Sequence, residues 1–528
     1  MKKREFTKSA LIAVICIAIA FCQSNSTGDD TSVLVASFSV IPAHPLVGQP
    51  AQFTDTSAGN PDSWSWEFGD GESSVIRNPI HTYVTAGEYG ATLTVRSGLA
   101  SDEVTRVISV SDDAAGYFVD AGNASASDSN PGTQTLPWKT IAKANQVLNA
   151  GDTVYIKAGT YSSYIAPARS GTPSGRITYR AFGQDIVKIQ NAAYGILLDH
   201  KSYITIQGFQ FSDLDRFMYL QNGANHNTIA YCTFDKMRNG SDWAGSRIRG
   251  QSSYNWVHHC RFSKYGGCFG IPPRGNDDGV VLEIGNEESM TGSSQTPDHS
   301  SYNLIEDCEM FHGGHHVLGV MGQFNVIRNN YLHNEGWSQG RGNRTLYMNG
   351  YAIDTGWNLI EGNRIGYAAP PCDGTICSGT QITASHNIFR FNSIYFNDLA
   401  GLQFSESSSY YQDTTYNHVY NNTFFRNSLT DEPDPGNSAV YLAIWDGAFI
   451  IKNNIFKNNL YSGHPRAYGV YRVSLADQVF ANEYVSETSG DPRFKNASAS
   501  LGDPMDATYP DFHLSPGSPC IDKGGALT

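Results

Sequence analysis

The chain has 528 residues, of which 40% are hydrophobic and only 16% charged, and its formal net charge is −14. This acidic balance argues against nucleic acid as a partner and gives no long-range attraction to an anionic membrane. A chain of this length can bury a large core, so we expect two domains in a monomer.

The N-terminus has the pattern of an export signal: a basic start is followed by an apolar stretch, residues 10–20, that is too short to span a bilayer comfortably. Two processing routes stay open, because Ala18-Ile-Ala20 is a small-x-small cleavage site and Ile19-Ala-Phe-Cys22 resembles a lipoprotein box that would acylate Cys22. We expect an extracellular or cell-surface protein, with an outer-membrane lipoprotein as one form. A membrane contact would then be made only through a lipid at Cys22. The expected segments are a signal at 1–21 and a linker at 22–32.

Residues 33–112 have short alternating strands separated by turn residues, which is typical of a separate β-sandwich. Trp64-Ser-Trp-Glu-Phe-Gly-Asp-Gly71, His81-Thr-Tyr83 and Gly87-Glu-Tyr89 resemble the PKD domain, named after the polycystic kidney disease protein. The resemblance implies an immunoglobulin-like spacer or glycan-proximity module without catalysis of its own. We predict that Trp66 and Phe68 lie in its core and that Gly69-Asp-Gly71 forms a hairpin turn.

The large domain is predicted to begin with a capping helix. Apolar residues fall on one helical face, Thr140 is its N-cap, and the helix ends near Gly151. Such a helix would cover the first coil, whose strand edges are otherwise unpaired. The apolar face is made of Ile141, Ala144, Val147 and Leu148.

Between Ile204 and Asn459 a short phrase returns: Asn, two apolar residues, two variable ones, Cys or Asn, one variable and one apolar. The spacing of 22 to 48 residues, with period-two alternation inside the phrase, favours the coils of a parallel β-helix. We predict that each phrase is one strand of a coil and that a second strand, such as Val280-Val-Leu-Glu-Ile284, precedes it. The copies begin at Asn227, Asn255, Asn303, Asn325, Asn358, Asn387 and Asn417.

Because successive coils repeat every ~4.8 Å, we predict that the residues at the sixth position of each phrase stack into a column that points into the β-helix. Inward Asn amides can hydrogen-bond from coil to coil, and the three Cys at its start are expected to be buried apolar thiols. Cys372 and Cys377 bracket a turn-rich loop and are the best disulfide candidates in an oxidising compartment. The column is Cys232, Cys260, Cys308, Asn330, Asn363, Asn392, Asn422 and Asn454.

The opening of the large domain, with Tyr117-Phe-Val-Asp-Ala-Gly-Asn123 and Gly151-Asp-Thr-Val-Tyr155, resembles exported right-handed β-helix polysaccharide lyases and related hydrolases. Asp511-Phe-His-Leu514 and Gly517-Ser-Pro-Cys-Ile-Asp522 resemble the closing phrase of such proteins. We therefore predict an all-β chain, with a right-handed parallel β-helix at 117–520 after the PKD-like sandwich. These phrases mark architecture and do not name a substrate.

In this fold, the resemblance places substrate on the outer face of one long sheet. The outward positions of the second strand are unusually rich in Arg, Asp and His over four successive coils, so these groups are expected to converge within about 15 Å. The longest interruption, residues 266–301, borders them, as functional loops often do. Simple alternation turns Glu283 outward while Val280, Leu282 and Ile284 point inward. The candidates are Arg247, Arg249, Asp277, Asp278, Glu283, His315, His316, Arg344, Tyr347 and Asn349.

Gly275-Asn-Asp-Asp278 followed by Gly313-Gly-His-His316 resembles polygalacturonases. The resemblance implies Asp278 as general acid, Asp277 as base and His315 as the neighbour that orients them, in an inverting hydrolase. The chain departs from that family at Ser246-Arg-Ile-Arg249, where the family has a third Asp. Of the family's Arg-Ile-Lys motif, only Arg344 is matched.

The competing chemistry is β-elimination on a uronate, in which the substrate carboxylate is neutralised and a base removes the C5 proton. Arg249 or Arg344 can bind the carboxylate, with Arg247, His316 and Asn349 as further substrate contacts, and His315 or Tyr347 can act as base and acid. Asp277, Asp278 and Glu283 offer hard oxygen ligands for Ca²⁺, which makes calcium a possible cofactor. The Arg-rich strand puts the lyase ahead of the hydrolase, with an acidic polysaccharide as substrate.

A third hypothesis is a non-catalytic surface protein or adhesin, because fold alone does not imply activity. Its groove would hold sugar by stacking on Tyr219, Tyr347, Tyr441 and Trp445.

Overall fold

A computed structural model defines the fold. Among the residues that it describes, no helix is long and apolar enough to cross a membrane. The described residues are 34–41, 45–59, 61–98, 100–110, 116–238, 244–263, 280–285, 298, 300–313, 316–333, 343–348, 356–368, 377–406, 414–427, 438–444, 451–452, 455–457, 460–462, 467–471, 473–481, 484–485, 494–496 and 511–514.

Two compact units lie on either side of residues 111–115. The first is a β-sandwich of two antiparallel sheets around an aromatic core. Trp66 and Phe68 are buried there, as predicted, and positive φ angles at Gly69 and Gly71 form the predicted turn. Its strands are Phe38–Ile41, Pro50–Asp55 and Ile80–Thr82 in one sheet, and Ser63–Glu67, Ser73–Ser74, Gly87–Ser97 and Ala100–Val110 in the other.

The second unit is a parallel β-helix of three long sheets, which we name A, B and C in the order in which a coil visits them. Sheet A comprises Tyr117–Val119, Thr153–Ile156, Ile177–Ala181, Ile204–Gln207, Thr228–Ala230, Trp256–His258, Leu304–Glu306, Val326–Arg328, Leu359–Glu361, Ile388–Arg390, His418–Tyr420, Ile455–Lys457 and Val479–Ala481. Sheet B comprises Gly159–Tyr161, Val187–Gln190, Phe209–Leu214, Thr233–Met237, Arg261–Ser263, Glu309–Phe311, Tyr331–His333, Arg364–Gly366, Ser393–Tyr395, Thr423–Phe425, Leu460–Ser462 and Tyr484–Val485. Sheet C comprises Tyr194–Asp199, Arg216–Gln221, Ala244–Ile248, Val280–Ile284, His316–Val320, Asn343–Met348, Cys377–Ile382, Leu402–Glu406, Val440–Ile444 and Tyr468–Tyr471.

Short elements complete the unit. The helix Ile141–Val147 begins at Thr140, whose hydroxyl accepts a hydrogen bond from the Lys143 amide, and Ile141 and Ala144 pack in the core of the β-helix. The predicted capping helix is therefore confirmed. The remaining pieces are the strand pairs Thr414–Thr415 with Ile451–Lys452 and Phe494–Asn496 with Asp511–Leu514, and the 3₁₀ turn Leu475–Asp477.

Each copy of the repeated phrase spans two strands, so the prediction of one strand per phrase is wrong. In the copy that begins at Asn303, the strands Leu304–Glu306 and Glu309–Phe311 lie on either side of Asp307. Asp307 has a φ of 52°, a left-handed conformation that turns the chain from sheet A into sheet B. A coil therefore has three strands, because one residue in the middle of the phrase forms a corner.

Two inward Asn columns run along the described coils, and the one predicted at the sixth position of the phrase is confirmed as far as Asn422, since Asn454 lies outside the described residues. One column is formed by the first Asn of each phrase. In it, the side-chain oxygen of each Asn accepts hydrogen bonds from the backbone and side-chain amides of the Asn one coil before it. The second column continues the same bonding from the Cys308 amide through Asn330, Asn363, Asn392 and Asn422. Cys232, Cys260 and Cys308 are free, buried thiols at its start. These buried amides thus satisfy one another and the corner backbone.

Candidate functional site

The outer face of sheet C carries the described part of the predicted site. Leu282, Ile284, Leu318 and Val320 belong to the hydrophobic core, so the alternate positions point away from it. One outward column contains Tyr219, Arg247, Glu283, Gly319, Tyr347, Gln381, Gln403 and Tyr441. A parallel column contains Ala244, Val280, His316, Arg344 and Ser378.

The alternation predicted for the strand Val280–Ile284 is wrong at its start. The strand register passes from Val280 opposite His316 directly to Leu282 opposite Leu318. Val281 joins the core instead of Val280. The irregular start of the strand therefore shifts the side chains by one residue, and Val280 shares the outer column with His316.

Glu283 lies on the outer face as predicted, but it is not open to solvent. Its carboxylate Oε2 is 2.9 Å from Nε of Arg247, one coil away, and the two side chains are 0% and 2% exposed. An arginine guanidinium is the partner that a buried carboxylate needs, since an isolated buried charge is costly. The structure thus places Arg247, which was predicted to contact substrate, beside Glu283.

Oε2 of Glu283, which was predicted as a calcium ligand, therefore lies beside a guanidinium. No group of three or more His, Cys, Asp or Glu within the described ranges is placed to hold a metal ion. The other two predicted ligands, Asp277 and Asp278, lie outside the described residues.

His316, Tyr347 and Arg344 meet on neighbouring coils. The rings of His316 and Tyr347 have centroids 4.8 Å apart, and the guanidinium carbon of Arg344 lies 5.1 Å from the Tyr347 ring centroid. His316 and Tyr347 are buried, whereas Arg344 is half-buried. A cation over an aromatic face is attractive, so Tyr347 supports Arg344 from one side.

A second half-buried arginine, Arg249, lies towards the start of the β-helix. Its Nη2 donates to Oε1 of Gln221 at 3.1 Å, and its guanidinium carbon is 5.3 Å from the Tyr219 ring centroid. Arg216, which the sequence analysis overlooked, also lies over Tyr219, at 5.6 Å. The sequence could have pointed to Arg216 by its position, because it is the first residue of the strand Arg216–Gln221. His316 is likewise the first residue of the strand His316–Val320. Sheet C thus holds a row of arginine and tyrosine side chains.

Several predicted site residues lie outside the described part of the chain. These are Asp277, Asp278, His315, Asn349, Trp445, Cys22 and Cys372. Cys377, the predicted disulfide partner of Cys372, begins the strand Cys377–Ile382. The structure therefore brings together Arg247, Glu283, His316, Arg344 and Tyr347, with Arg249 beside them.

The tyrosines predicted to stack on sugar are buried: Tyr219, Tyr347 and Tyr441 are 3%, 2% and 3% exposed. As placed, they do not offer open faces to a glycan. This finding weakens the stacking hypothesis for the surface of sheet C.

A ladder of aromatic rings follows the corner between sheets C and A. Adjacent rings have centroids 4.7 to 5.9 Å apart and planes that lie 4° to 30° from parallel. Because the rings cover one another's faces, they stabilise the corner more than they offer a platform for sugar. Their sequence signal was an aromatic residue or His directly before most of the repeated Asn. The rings belong to Tyr203, His226, Tyr254, Tyr302, Phe324, Trp357, His386 and Tyr416, all with positive φ.

Comparison with known proteins agrees with this architecture. Residues 41–110 match the family model of the PKD domain, and residues 118–269 match that of the Pel9A-like right-handed β-helix region. The chain therefore carries a PKD domain followed by a right-handed parallel β-helix, as predicted from the sequence, and residues 118–269 of the β-helix are Pel9A-like.

Individual relatives are distant. A Bacillus subtilis (strain 168) protein, YwoF, is 36% identical over 96 residues, or 17% of this chain and 20% of that protein. The chain thus spans about a fifth of the length of this curated relative.

Two solved structures illustrate the degree of similarity. The pectate lyase Pel9A is 13% identical, with 78% of this chain and 92% of that one covered and a TM-score of 0.42. A mannuronic acid specific family 6 polysaccharide lyase from human gut microbiota is 17% identical, with 65% and 82% covered and a TM-score of 0.44.

Proposed function

We propose that the protein is an exported carbohydrate-active enzyme, a polysaccharide lyase that cleaves an acidic, uronate-containing polysaccharide by β-elimination. The observation that carries this proposal is the row of half-buried arginines, Arg216, Arg249 and Arg344, on the outer face of sheet C of a chain with net charge −14. Neutral glycans do not need such a row, whereas a uronate carboxylate is bound well by a planar guanidinium. The match of residues 118–269 to the Pel9A-like right-handed β-helix region supports the fold that this proposal assumes.

In the proposed reaction, Arg344 and Arg249 bind the sugar carboxylate and neutralise it. Neutralisation makes the C5 hydrogen more acidic, so a base can remove it. The electron pair of the C5–H bond then forms the C4–C5 double bond, and the bond from C4 to the leaving oxygen breaks. The leaving oxygen takes up a proton. Tyr347 and His315 are the proposed acid and base, and Tyr347 reaches the substrate only if the outer face of sheet C opens.

The long connections of the β-helix border sheet C, which favours this face as the working surface. Residues 264–279 connect Ser263 of sheet B to Val280 of sheet C, whereas only two residues separate Glu306 of sheet A from Glu309 of sheet B. Long connections on a rigid scaffold are where function is usually placed.

Incubation with pectin, alginate and glycosaminoglycans, with and without chelator, tests the proposal. Unsaturated products that absorb in the ultraviolet support elimination. Saturated reducing ends would instead support the polygalacturonase-like hydrolase, with Asp278 as its acid and Asp277 as its base. Loss of activity with chelator and recovery with Ca²⁺ would assign those two carboxylates to a metal. Glycan binding without any product, unchanged in the Asp278→Asn/His315→Ala double variant, would support the adhesin.

We further propose export through the signal at residues 1–21, with lipid attachment at Cys22 as one of the two routes. Metabolic labelling with a radioactive fatty acid tests attachment, and Cys22→Ala should abolish the label. A secreted, unlabelled protein would support cleavage after Ala20.

A further inference from the structure

A concave groove lies on the outer face of sheet A, beside the corner that carries the ladder of aromatic rings. Its volume is about 370 Å³, within the range of ligand pockets. Phe389 and Val419 belong to the hydrophobic core, so their neighbours Ile388 and His418 point outward into the groove. Three successive coils line it, with Trp357, His386, Ile388, Tyr416 and His418.

The groove is built on a rigid part of the β-helix. Each lining residue comes directly before or after a buried Asn of the column that the first Asn of each phrase forms. The side chains of these Asn hydrogen-bond from coil to coil at 3.0 to 3.2 Å. A site on elements fixed in this way keeps its geometry before a ligand arrives. The three Asn are Asn358, Asn387 and Asn417.

The aromatic wall of the groove offers ring edges. The His386 ring lies between those of Trp357 and Tyr416, with centroids 4.7 and 5.3 Å away, so both of its faces are covered. The polar atoms of all three rings lie at their edges, where the indole N–H and the phenol O–H can donate. Trp357 and Tyr416 are 40% and 50% exposed. None of the three side chains has a hydrogen-bond partner within the described part of the chain, so these polar edges are available to a ligand.

The remaining wall is apolar and uncharged. Ile388 is 36% exposed and presents an aliphatic surface to the groove. Burial, and then the nearby His386, lower the pKa of His418, so its imidazole is neutral at pH 7. None of the five lining residues is Asp, Glu, Lys or Arg.

The charged residues in the next outward column of sheet A are already paired. Nε of Arg390 donates to Oε2 of Glu361 at 2.8 Å, and Nη2 lies 2.6 Å from the same oxygen. Nη1 of Arg390 donates to the Tyr420 hydroxyl at 3.1 Å. This column therefore gives the groove no unbalanced charge that would attract an ionic ligand.

We propose that this groove is a second carbohydrate site, which binds a neutral glycan. A sugar ring has an apolar C–H face, which fits against Ile388. Its peripheral hydroxyls can accept hydrogen bonds from the ring edges of Trp357 and Tyr416. An acidic sugar would have to move its carboxylate into an uncharged groove without a counter-charge, which is costly. The groove lies on sheet A, so its binding does not depend on the reaction proposed at sheet C.

Calorimetric titration of the full chain with cellohexaose, xylohexaose and mannohexaose, and with trigalacturonate as the acidic probe, tests the site. We expect at least one neutral probe to bind, and trigalacturonate to bind at least about tenfold more weakly. Tyr416→Phe keeps the ring in the ladder but removes its hydroxyl, and it should weaken binding about 3- to 10-fold, the effect of one neutral hydrogen bond. Ile388→Ser removes the apolar wall and should weaken binding about fivefold or more.

The matched control is Tyr254→Phe, which removes the same hydroxyl from a ring of the same ladder that is 41% exposed but lies outside the groove. It should bind like the wild type. Three outcomes would overturn the site: binding of none of the neutral probes, binding of trigalacturonate at least as tight as that of every neutral probe, or equal affinity in Tyr416→Phe and Tyr254→Phe. Thermal unfolding shows whether each variant is folded. If Ile388→Ser fails to fold, Tyr416→Phe carries the test.

Discussion

Nε of Arg247 and Oε2 of Glu283 lie 2.9 Å apart on adjacent coils of sheet C, and both side chains are buried. The outer face of sheet C therefore holds a charge pair that solvent does not screen. Breaking a buried pair of this kind by removing one partner is strongly destabilising. The pair ties together two coils that the insertion 264–279 separates in sequence.

We predict that Glu283→Gln destabilises the β-helix by about 3–5 kcal/mol, because breaking a buried ion pair by removing one partner costs about that much. Urea unfolding followed by circular dichroism measures the change. In the Arg247→Met/Glu283→Leu double variant both charges are gone, so its stability should lie within about 2 kcal/mol of the wild type. A double variant as unstable as Glu283→Gln would show that the loss of stability comes from disturbed packing and not from an unbalanced charge.

For this pair, the sequence predicted the position of Glu283 but neither its burial nor its partner. Alternation placed Glu283 on the outer face correctly, because side chains alternate along any strand. It did not reveal that the face is buried, since burial depends on neighbours brought together by the whole coil. Nor did it reveal Arg247 as the partner of Glu283: that contact depends on the register between two strands, which the intervening insertion hides.

The fold could be predicted better than the site, because the repeated phrase in the sequence corresponds to the repeated coils of the β-helix. The phrase beginning at Asn303 predicted a coil, a buried Asn and a buried Cys308, all of which recur at a fixed spacing. The corner at Asp307 was missed, since a single left-handed residue inside a phrase leaves the alternation on each side intact. Three of the five residues predicted to be catalytic, Asp277, Asp278 and His315, fall outside the described residues and stay predictions.

Arg344 is predicted to bind the substrate carboxylate. Arg344→Ala should raise KM for the uronate polymer about 10- to 100-fold, because one charge-assisted, bidentate contact contributes roughly 1.4–2.8 kcal/mol. Arg344→Lys should recover only part of the loss, since an ammonium lacks the planar pair of donors. Initial rates over a range of polymer concentrations measure both.

The matched control for Arg344 is Arg426→Ala, which removes an exposed arginine whose guanidinium carbon lies 5.2 Å from the Phe425 ring centroid at a corner of the β-helix. It should leave KM unchanged. An equal rise in KM for both variants would point to general loss of positive charge and would contradict a specific role for Arg344.

In the column that contains Cys308 and Asn330, we predict a large loss of stability for a substitution at Asn330 and a small change for one at Cys308. Asn330 donates to the Ile305 carbonyl at 3.0 Å and accepts from the Cys308 amide at 3.0 Å. Asn330→Ala should therefore cost about 2–5 kcal/mol, since buried backbone groups lose their partners. Urea unfolding measures this.

At Cys308, the thiol already occupies the equivalent place: Sγ is 3.7 Å from the Val257 carbonyl and 3.5 Å from the Cys260 amide. Cys308→Asn extends the Asn column by one coil and should change stability by no more than about 1 kcal/mol. Destabilisation as large as that of Asn330→Ala would mean that the Cys part of the column has no room for an amide.

His258 is predicted to make folding depend on pH. Its ring is buried, lies 3.9 Å from the Trp256 ring and has Nδ1 2.9 Å from Nδ1 of His259. Burial, and then the nearby His259, lower the pKa of His258 from 6.5 to about 3. Between these two values the unfolded chain binds a proton that the folded chain does not. Stability is therefore full above pH 6.5 and is lost as pH falls towards 3. Urea unfolding of wild type and His258→Phe at pH 7.5 and 5.0 measures this effect, and the drop in stability should be about 2 kcal/mol smaller in the variant. An equal drop in both proteins would assign the acid sensitivity to other groups.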